Sequence, residues 1–165
     1  MLASNVEKLL RALCDREVDF VIIGGAAAVL HGSAYVTGDL DVCYSRKKEN
    51  LEKLAKALAP FNPSLRGAPT GLPFQLDERT LRLGLNFTLT TDLGDVDILG
   101  EVTGMGSYEK LLPSSEELEI YGMRCQVLTL EGLIKSKRAV GRAKDLMLLP
   151  ELEALLDIRN FQKKS

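Results

Sequence analysis

Along the first stretch of the chain, Val6, Leu9, Leu10 and Leu13 recur every three to four positions among charged and polar residues. That spacing predicts an amphipathic helix over residues 5–16, with Ser4 as N-cap and Glu7, three positions on, completing a capping box. Residues 18–23 (VDFVII) are almost continuously apolar, β-branched and aromatic, the pattern of a strand covered on both faces. Gly24 and Gly25 end it, and the alanine-rich AAAVLH behind them favours a short helix closed by Gly32. A second strand is expected at residues 40–44, where apolar positions alternate around acids, and a helix at residues 49–58 (ENLEKLAKAL).

Pro60, Pro63, Gly67, Pro69, Gly71 and Pro73 then interrupt any period, so this stretch reads as a surface loop inside one folding unit. Residues 77–83 suit a short helix. LNFTLTT and DVDIL flank Asp92-Leu93-Gly94, residue types that favour a tight turn, and so predict a β-hairpin. Two more short strands are expected at residues 118–121 and 124–128, joined through Gly122. Thr129 is placed to cap a helix reaching about Val140. Gly141 interrupts it, and Pro150 starts a closing helix whose Leu152, Leu155 and Leu156 share a face. The fold class is α/β or α+β: a small mixed β-sheet with helices packed on it and C-terminal helices beside the cleft.

Length and composition change this picture little. A chain of 165 residues suits one domain, with a core over about residues 18–128 and a helical part over about 129–165. Apolar residues at 45% and charged residues at 27% describe a globular protein and exclude a disordered or fibrous one. The N-terminal stretch carries charges within its apolar pattern, and the longest apolar run, Ala26 to Leu30, is far too short for a bilayer. A soluble, cytoplasmic protein without a membrane partner is the expectation. Cys14, Cys43 and Cys125 are odd in number and widely spaced, which argues for reduced, mostly buried thiols rather than zinc or disulfide chemistry. The net charge of −2 argues against a general nucleic-acid coat, yet Lys135, Lys137, Arg138, Arg142 and Lys144 concentrate cations near the C-terminus.

The chemistry concentrates in three places. Side chains two apart on a strand share a face, so Asp39 and Asp41 can reach one metal ion while Leu40 and Val42 enter the core. Adjacent carboxylates repel unless a cation lies between them. Magnesium, or manganese in its place, is such a cation, and it prefers hard oxygen ligands and the phosphates of a nucleotide. A third carboxylate from a later strand would complete a two-metal arrangement. Asp97, flanked by Val96 and Ile98, is the preferred candidate, although Asp95 shares its face. Gly24 and Gly25 leave room for close approach, and the amides opening the next helix can donate to phosphate oxygens. Read singly, paired glycines also serve simple turns, an Asp-x-Asp at a strand end can be merely solvated, and a basic helix is commonly a solvated face.

The run IIGGAAAVLHGSAYVTGDLDV resembles the signature of the DNA polymerase β-like nucleotidyltransferases, a glycine pair followed by Asp-x-Asp. Together with NFTLTTDLGDVDIL and KRAVGRAKD, it is most similar to small bacterial and archaeal nucleotidyltransferases of abortive-infection and toxin–antitoxin systems. The resemblance implies that Gly24 and Gly25 cradle nucleotide phosphates and that Asp39, Asp41 and Asp97 are the catalytic, metal-binding acids. It also implies that Thr37 supports them, and that Lys137, Arg142 and Lys144, with Asp145, form a basic motif meeting phosphate or substrate. One departure is Tyr35, which stands where the family usually carries Arg and implies a different hold on nucleotide or acceptor. His31, the one histidine of the chain, cannot build a zinc site alone and reads as a positioned hydrogen-bonding group.

The resulting expectation is a magnesium-dependent nucleotidyltransferase that moves an NMP from an NTP to a hydroxyl of RNA, protein or a small molecule, releasing pyrophosphate. The alternative is a non-catalytic NTP-binding regulator, or one member of a toxin–antitoxin pair with a partner protein from the same two-gene module. A dinucleotide-binding domain is disfavoured, because the remaining glycines of GxGxxG and the repeated strand–helix units are missing.

Overall fold

The computed structural model describes residues 2–69 and 71–164. The chain opens with α1 (Ser4–Asp15), which buries Val6, Leu9, Leu10 and Leu13 as its spacing requires. Ser4 lies inside the helix instead of capping it: Ala3 is the N-cap, no side chain caps the end, and the capping box does not form. The carbonyl of Ala3 accepts from the amides of Val6 and Glu7 instead.

Next come β1 (Phe20–Ile23), α2 (Gly24–Leu30), β2 (Leu40–Tyr44) and α3 (Lys48–Leu58). All four residues of β1 are buried, as expected for a strand covered on both faces. The proline and glycine stretch is not all loop. It holds β3 (Ser64–Leu65), which pairs antiparallel with the hairpin strand β4 (Asn86–Thr91). Ser64 and Leu65 pair with Thr90 and Leu89, a two-residue match too short for periodicity to reveal. Residue 70 of the predicted loop lies outside the described residues. Between β3 and β4, α4 (Glu78–Leu83) is capped by Asp77, whose carboxylate accepts from the amide of Thr80 at 2.8 Å.

The hairpin closes with β5 (Gly94–Leu99). A small two-stranded ribbon, β6 (Glu101–Val102) and β7 (Gly106–Ser107), and a single turn, α5 (Tyr108–Leu111), follow. Strands β8 (Ser115–Ile120) and β9 (Met123–Leu128) lead to α6 (Leu130–Val140), capped by the Thr129 side chain, which accepts from the amide of Gly132. The last helix, α7 (Ala143–Lys163), departs from the expected start at Pro150, because the proline lies inside it. Proline removes one donor, here the partner of the Leu146 carbonyl. Pro150 is exposed and Leu146 half-exposed, so that carbonyl falls on the solvent side, where water can replace the lost bond.

Among the described residues, seven strands form one sheet in the order β3-β4-β5-β2-β1-β9-β8. The pairs β1/β9 and β2/β5 are parallel and the rest antiparallel, giving a mixed sheet. Its centre is dry: Val21, Ile22, Leu40, Val42, Val96, Ile98 and Val127 are all fully buried. Helix α1 packs on α3, α2 lies against β1 and β2, and α6 packs on α7. Cys43 and Cys125 are buried and Cys14 half-buried, all as free thiols; the Cys14 and Cys125 sulfurs approach to 3.7 Å, between α1 and β9. No helix among the described residues is long and apolar enough to cross a membrane.

Candidate active site

Pairing at the middle of the sheet brings the predicted acids together. Asp41 on β2 stands directly opposite Asp97 on β5, in the parallel register Leu40↔Val96, Asp41↔Asp97, Val42↔Ile98. The alternation that sends Leu40, Val42, Val96 and Ile98 into the core leaves both carboxylates on the other face. Asp39 lies one residue before β2. Thr37, nearly buried, holds it there by a reciprocal pair of 3.3 Å contacts: its Oγ1 accepts from the Asp39 amide and donates to the Asp39 carbonyl.

The two glycines serve this geometry in different ways. Gly24 has φ +63°, and a Cβ there would lie 2.3 Å from Oδ2 of Asp41. The missing side chain is the space the carboxylate occupies. A Cβ on Gly25 would come within 3.0 Å of the Tyr35 ring, so Tyr35 packs over the glycine turn. His31 ends α2, its Nε2 donating to the carbonyl of Leu128 at 2.8 Å while Arg159 of α7 donates to Nδ1 at 3.1 Å. Burial and then the Arg159 charge oppose its protonation, whereas the Leu128 bond favours it; the balance holds the ring below its ordinary range. It is the positioned hydrogen-bonding group expected, and it ties the glycine-turn helix to both β9 and α7.

Opposite the acids, the C-terminal basic motif is organised by one buried carboxylate. Asp145 is 1% exposed and accepts from Lys137 Nζ at 3.0 Å and from Arg142 Nε at 2.6 Å. Burial alone would raise its pKa, but these two cations hold the carboxyl below the usual range. Lys137 and Arg142, so held, and Lys144 line the same cleft of roughly 200 Å³ as Asp39, Asp41 and Asp97. A second cleft of roughly 300 Å³ adjoins it, lined by Gly24, Asn86, Thr103 and Ser136 and sharing Asp41, Asp97, Lys137, Arg142 and Asp145 with the first. The acid pair therefore stands where two clefts meet. Arg138, another member of the cation run, instead pairs with Glu153.

Electrostatics mark Asp41 as the strained member. Burial first, then the charges of Asp97 and Asp39, push its carboxyl up to about 6, against partial relief from Lys137 and Arg66. Arg66 is the residue that sequence reasoning missed. It follows β3 directly and reaches over β4 to donate to Asp97 at 2.6 Å, to Asp95 at 3.1 Å and to the Leu89 carbonyl at 2.9 Å. Nothing in its surroundings of prolines and glycines signals that position; only the Ser64–Leu65 pairing with β4 creates it. Asp95, the other acid of β5, is occupied by Arg66 and accepts from the Thr90 hydroxyl at 3.3 Å, and Asp97 is the one that lines both clefts.

The donor set suits a hard divalent cation, since it offers carboxylate oxygens from adjacent strands whose mutual repulsion such an ion would relieve. With Arg66 on Asp97, no three metal-ligating side chains among the described residues are gathered round one point. Asp41 and Asp97 are the groups that could hold such an ion, with Asp39 at the edge.

No protein-family model matches the chain, and no curated protein matches it significantly. Solved structures do. A protein from Thermotoga maritima with a provisional nucleotidyltransferase assignment is 18% identical over 100% of this chain and 97% of its own, with a TM-score of 0.55. ANT(2'')-Ia, solved in complex with adenylyl-2''-tobramycin, is 13% identical over 97% of each chain, with a TM-score of 0.57. An antigenic nucleotidyltransferase-like protein from Paracoccidioides brasiliensis is 17% identical over 93% of this chain and 75% of its own, with a TM-score of 0.54. At such identities the likeness is one of backbone architecture, and by that measure this chain has the nucleotidyltransferase fold.

Proposed function

We propose that the chain is a divalent-metal-dependent nucleotidyltransferase: it transfers an NMP from an NTP to an acceptor hydroxyl and releases pyrophosphate. The observation that carries this reading is the Asp41–Asp97 register pair, set between two clefts and faced by Lys137 and Arg142. One cleft would take the nucleotide and the other the acceptor, so that both meet at the acids. The acceptor oxygen forms a bond to the α-phosphorus as the bond to pyrophosphate breaks, and the hydroxyl proton passes to Asp97. Lys137, Arg142 and Lys144 bind the phosphates and offset the charge that accumulates on the leaving pyrophosphate. Gly24 makes room for the Asp41 carboxylate, Gly25 lines the cleft under Tyr35, and Thr37 fixes Asp39 at the cleft edge. Magnesium or manganese, held by Asp41 and Asp97 with Asp39, would supply Lewis-acid polarisation of the phosphate and of the hydroxyl. No covalent intermediate on the protein is needed, because positioning and electrostatics do the catalysis.

The solved neighbour in complex with adenylyl-2''-tobramycin supports a nucleotidyl product on a small molecule, and RNA or a protein are the other acceptor classes. The test is transfer of label from each α-labelled NTP, with magnesium, to acceptor pools of RNA, protein and small hydroxylated metabolites. Wild type should label one pool and Asp41→Asn should lose the label; equal labelling by the variant would sink the proposal. Tyr35, packed over Gly25, favours a second reading in which the chain binds an NTP without turnover and regulates a partner from a two-gene module. Metal-dependent NTP binding with no labelled pool would select that reading.

A further inference from the structure

Arg66 occupies a place that the chemistry above reserves for something else. Its Nη2 donates to Asp97 Oδ1 at 2.6 Å and its Nε to Asp95 Oδ2 at 3.1 Å. The Leu89 carbonyl fixes the same guanidinium, and the Arg66 amide donates to the Thr88 carbonyl. The same Nη2 thus bridges the Leu89 carbonyl and the acid that faces Asp41 across the strand pair, while Nε holds Asp95.

This ion pair is open to solvent. Side-chain exposures of 35% for Arg66 and 30% for Asp97 leave both groups accessible to water and to a competing ion. Asp97 therefore has a counter-ion that a stronger one can replace. A divalent ion brings twice the charge, and unlike Arg66 it can be shared with Asp41, which stands opposite Asp97 in the strand register. Once off Asp97, the guanidinium remains in the cleft lined by Lys137, Arg142 and Lys144, and its planar fork matches phosphate oxygens.

We propose that Arg66 is the metal-free counter-ion of Asp97, displaced when a divalent cation binds, and that the released guanidinium then grips the phosphates of the incoming nucleotide. Arg66 is thereby a positioning residue: it keeps the acids from repelling one another before substrate arrives and is freed for the triphosphate by the ion that accompanies it. The inference rests on the metal-dependent reading of the acids.

Manganese binding in the absence of nucleotide, followed by titration calorimetry, tests it on wild type, Arg66→Ala, Arg66→Lys, Lys144→Ala and Asp41→Asn. Arg66→Ala should bind manganese more tightly by up to about fivefold, the fold-change that an exposed pair is worth. Arg66→Lys, whose single ammonium cannot span both carboxylates, should fall between. Lys144→Ala removes the same charge from the cleft without freeing Asp97, so it should change manganese affinity far less. With manganese present, Arg66→Ala should also bind a non-hydrolysable ATP analogue more weakly than wild type. Unchanged or weaker manganese binding by Arg66→Ala overturns the proposal, as does equal tightening by Lys144→Ala. Unchanged analogue binding overturns its phosphate half. Failure of the underlying reading looks different: manganese then binds Asp41→Asn as well as wild type, or binds none of the proteins.

Discussion

At Asp41, burial and two neighbouring carboxylates act in the same direction, and the sign of their effect on stability can be worked out. The carboxyl is raised from 3.8 to about 6, so the folded chain holds that proton more tightly than the unfolded chain does. This group is therefore compatible with folding at low pH, and its contribution declines as pH rises from about 4 to about 6, reaching at most about 3 kcal/mol. Asp41→Asn mimics the protonated form. In chelator, urea unfolding should find wild type and variant alike near pH 4 and the variant more stable at pH 7; equal stabilities at both pH values would mean that Asp41 is not strained. Asp41 and Asp97 were legible from the sequence as groups facing away from the core, because a strand's alternation fixes which side chains share a face, but alternation did not separate Asp97 from Asp95, and Asp39 precedes the strand. Arg66 was not, since its position depends on a two-residue pairing between segments with no periodic signal. Tyr35 was visible as a departure, but its contact with Gly25 exists only in three dimensions.

Among the elements, the joint between α6 and α7 depends most on one side chain. Asp145 at the start of α7 is buried and binds Lys137 from α6 and Arg142 from the connecting turn. Removing one partner of a buried pair leaves a charge without compensation, which typically costs about 3 kcal/mol. Lys137, 14% exposed, would bear most of that penalty, because Arg142 can turn to water. Asp145→Ala should therefore lower the urea midpoint by an amount equivalent to about 2–3 kcal/mol, with Asp145→Asn falling between the two proteins. A shift too small to measure would show that the cations resolvate freely and that the carboxylate does not organise them. The same elements mark where sequence reasoning ran out. Periodicity located the longer helices and strands and missed the ribbon β6–β7 and the single turn α5, and it started the last helix at Pro150, since proline is common at a first helical turn. What allows proline inside this helix is its exposed face, a property of packing and not of local sequence. The missing Ser4 cap is a similar case, because a capping sequence is only one way of satisfying amides exposed to water.

Over the whole molecule, the C-terminal helices are fastened to the sheet at separated points. Leu152 of α7 is fully buried in the common core, Arg159 reaches His31 at the end of α2, and Arg159 also lies 3.6 Å from Glu116 on β8. Lys137 of α6 lies in the cleft beside acids from β2 and β5. Because no step along the chain separates a core of its own for the C-terminal part, the segment over about residues 129–165 should not unfold before the sheet. The chain has no tryptophan and four tyrosines; Tyr44 at the end of β2 is fully buried with its hydroxyl donating to the Leu85 carbonyl, whereas Tyr35 and Tyr121 are exposed, so the change in tyrosine absorption on unfolding is weighted towards the sheet. Far-ultraviolet circular dichroism is weighted towards helices, of which α7 is the longest. Urea titrations followed by both signals should give coincident midpoints and equal slopes. A far-ultraviolet transition that precedes the tyrosine one would mean that α6 and α7 form a separable unit. The cleft would then be assembled by docking that unit on the sheet, and the approach of Lys137 and Arg142 to the acids would be an equilibrium that nucleotide could shift.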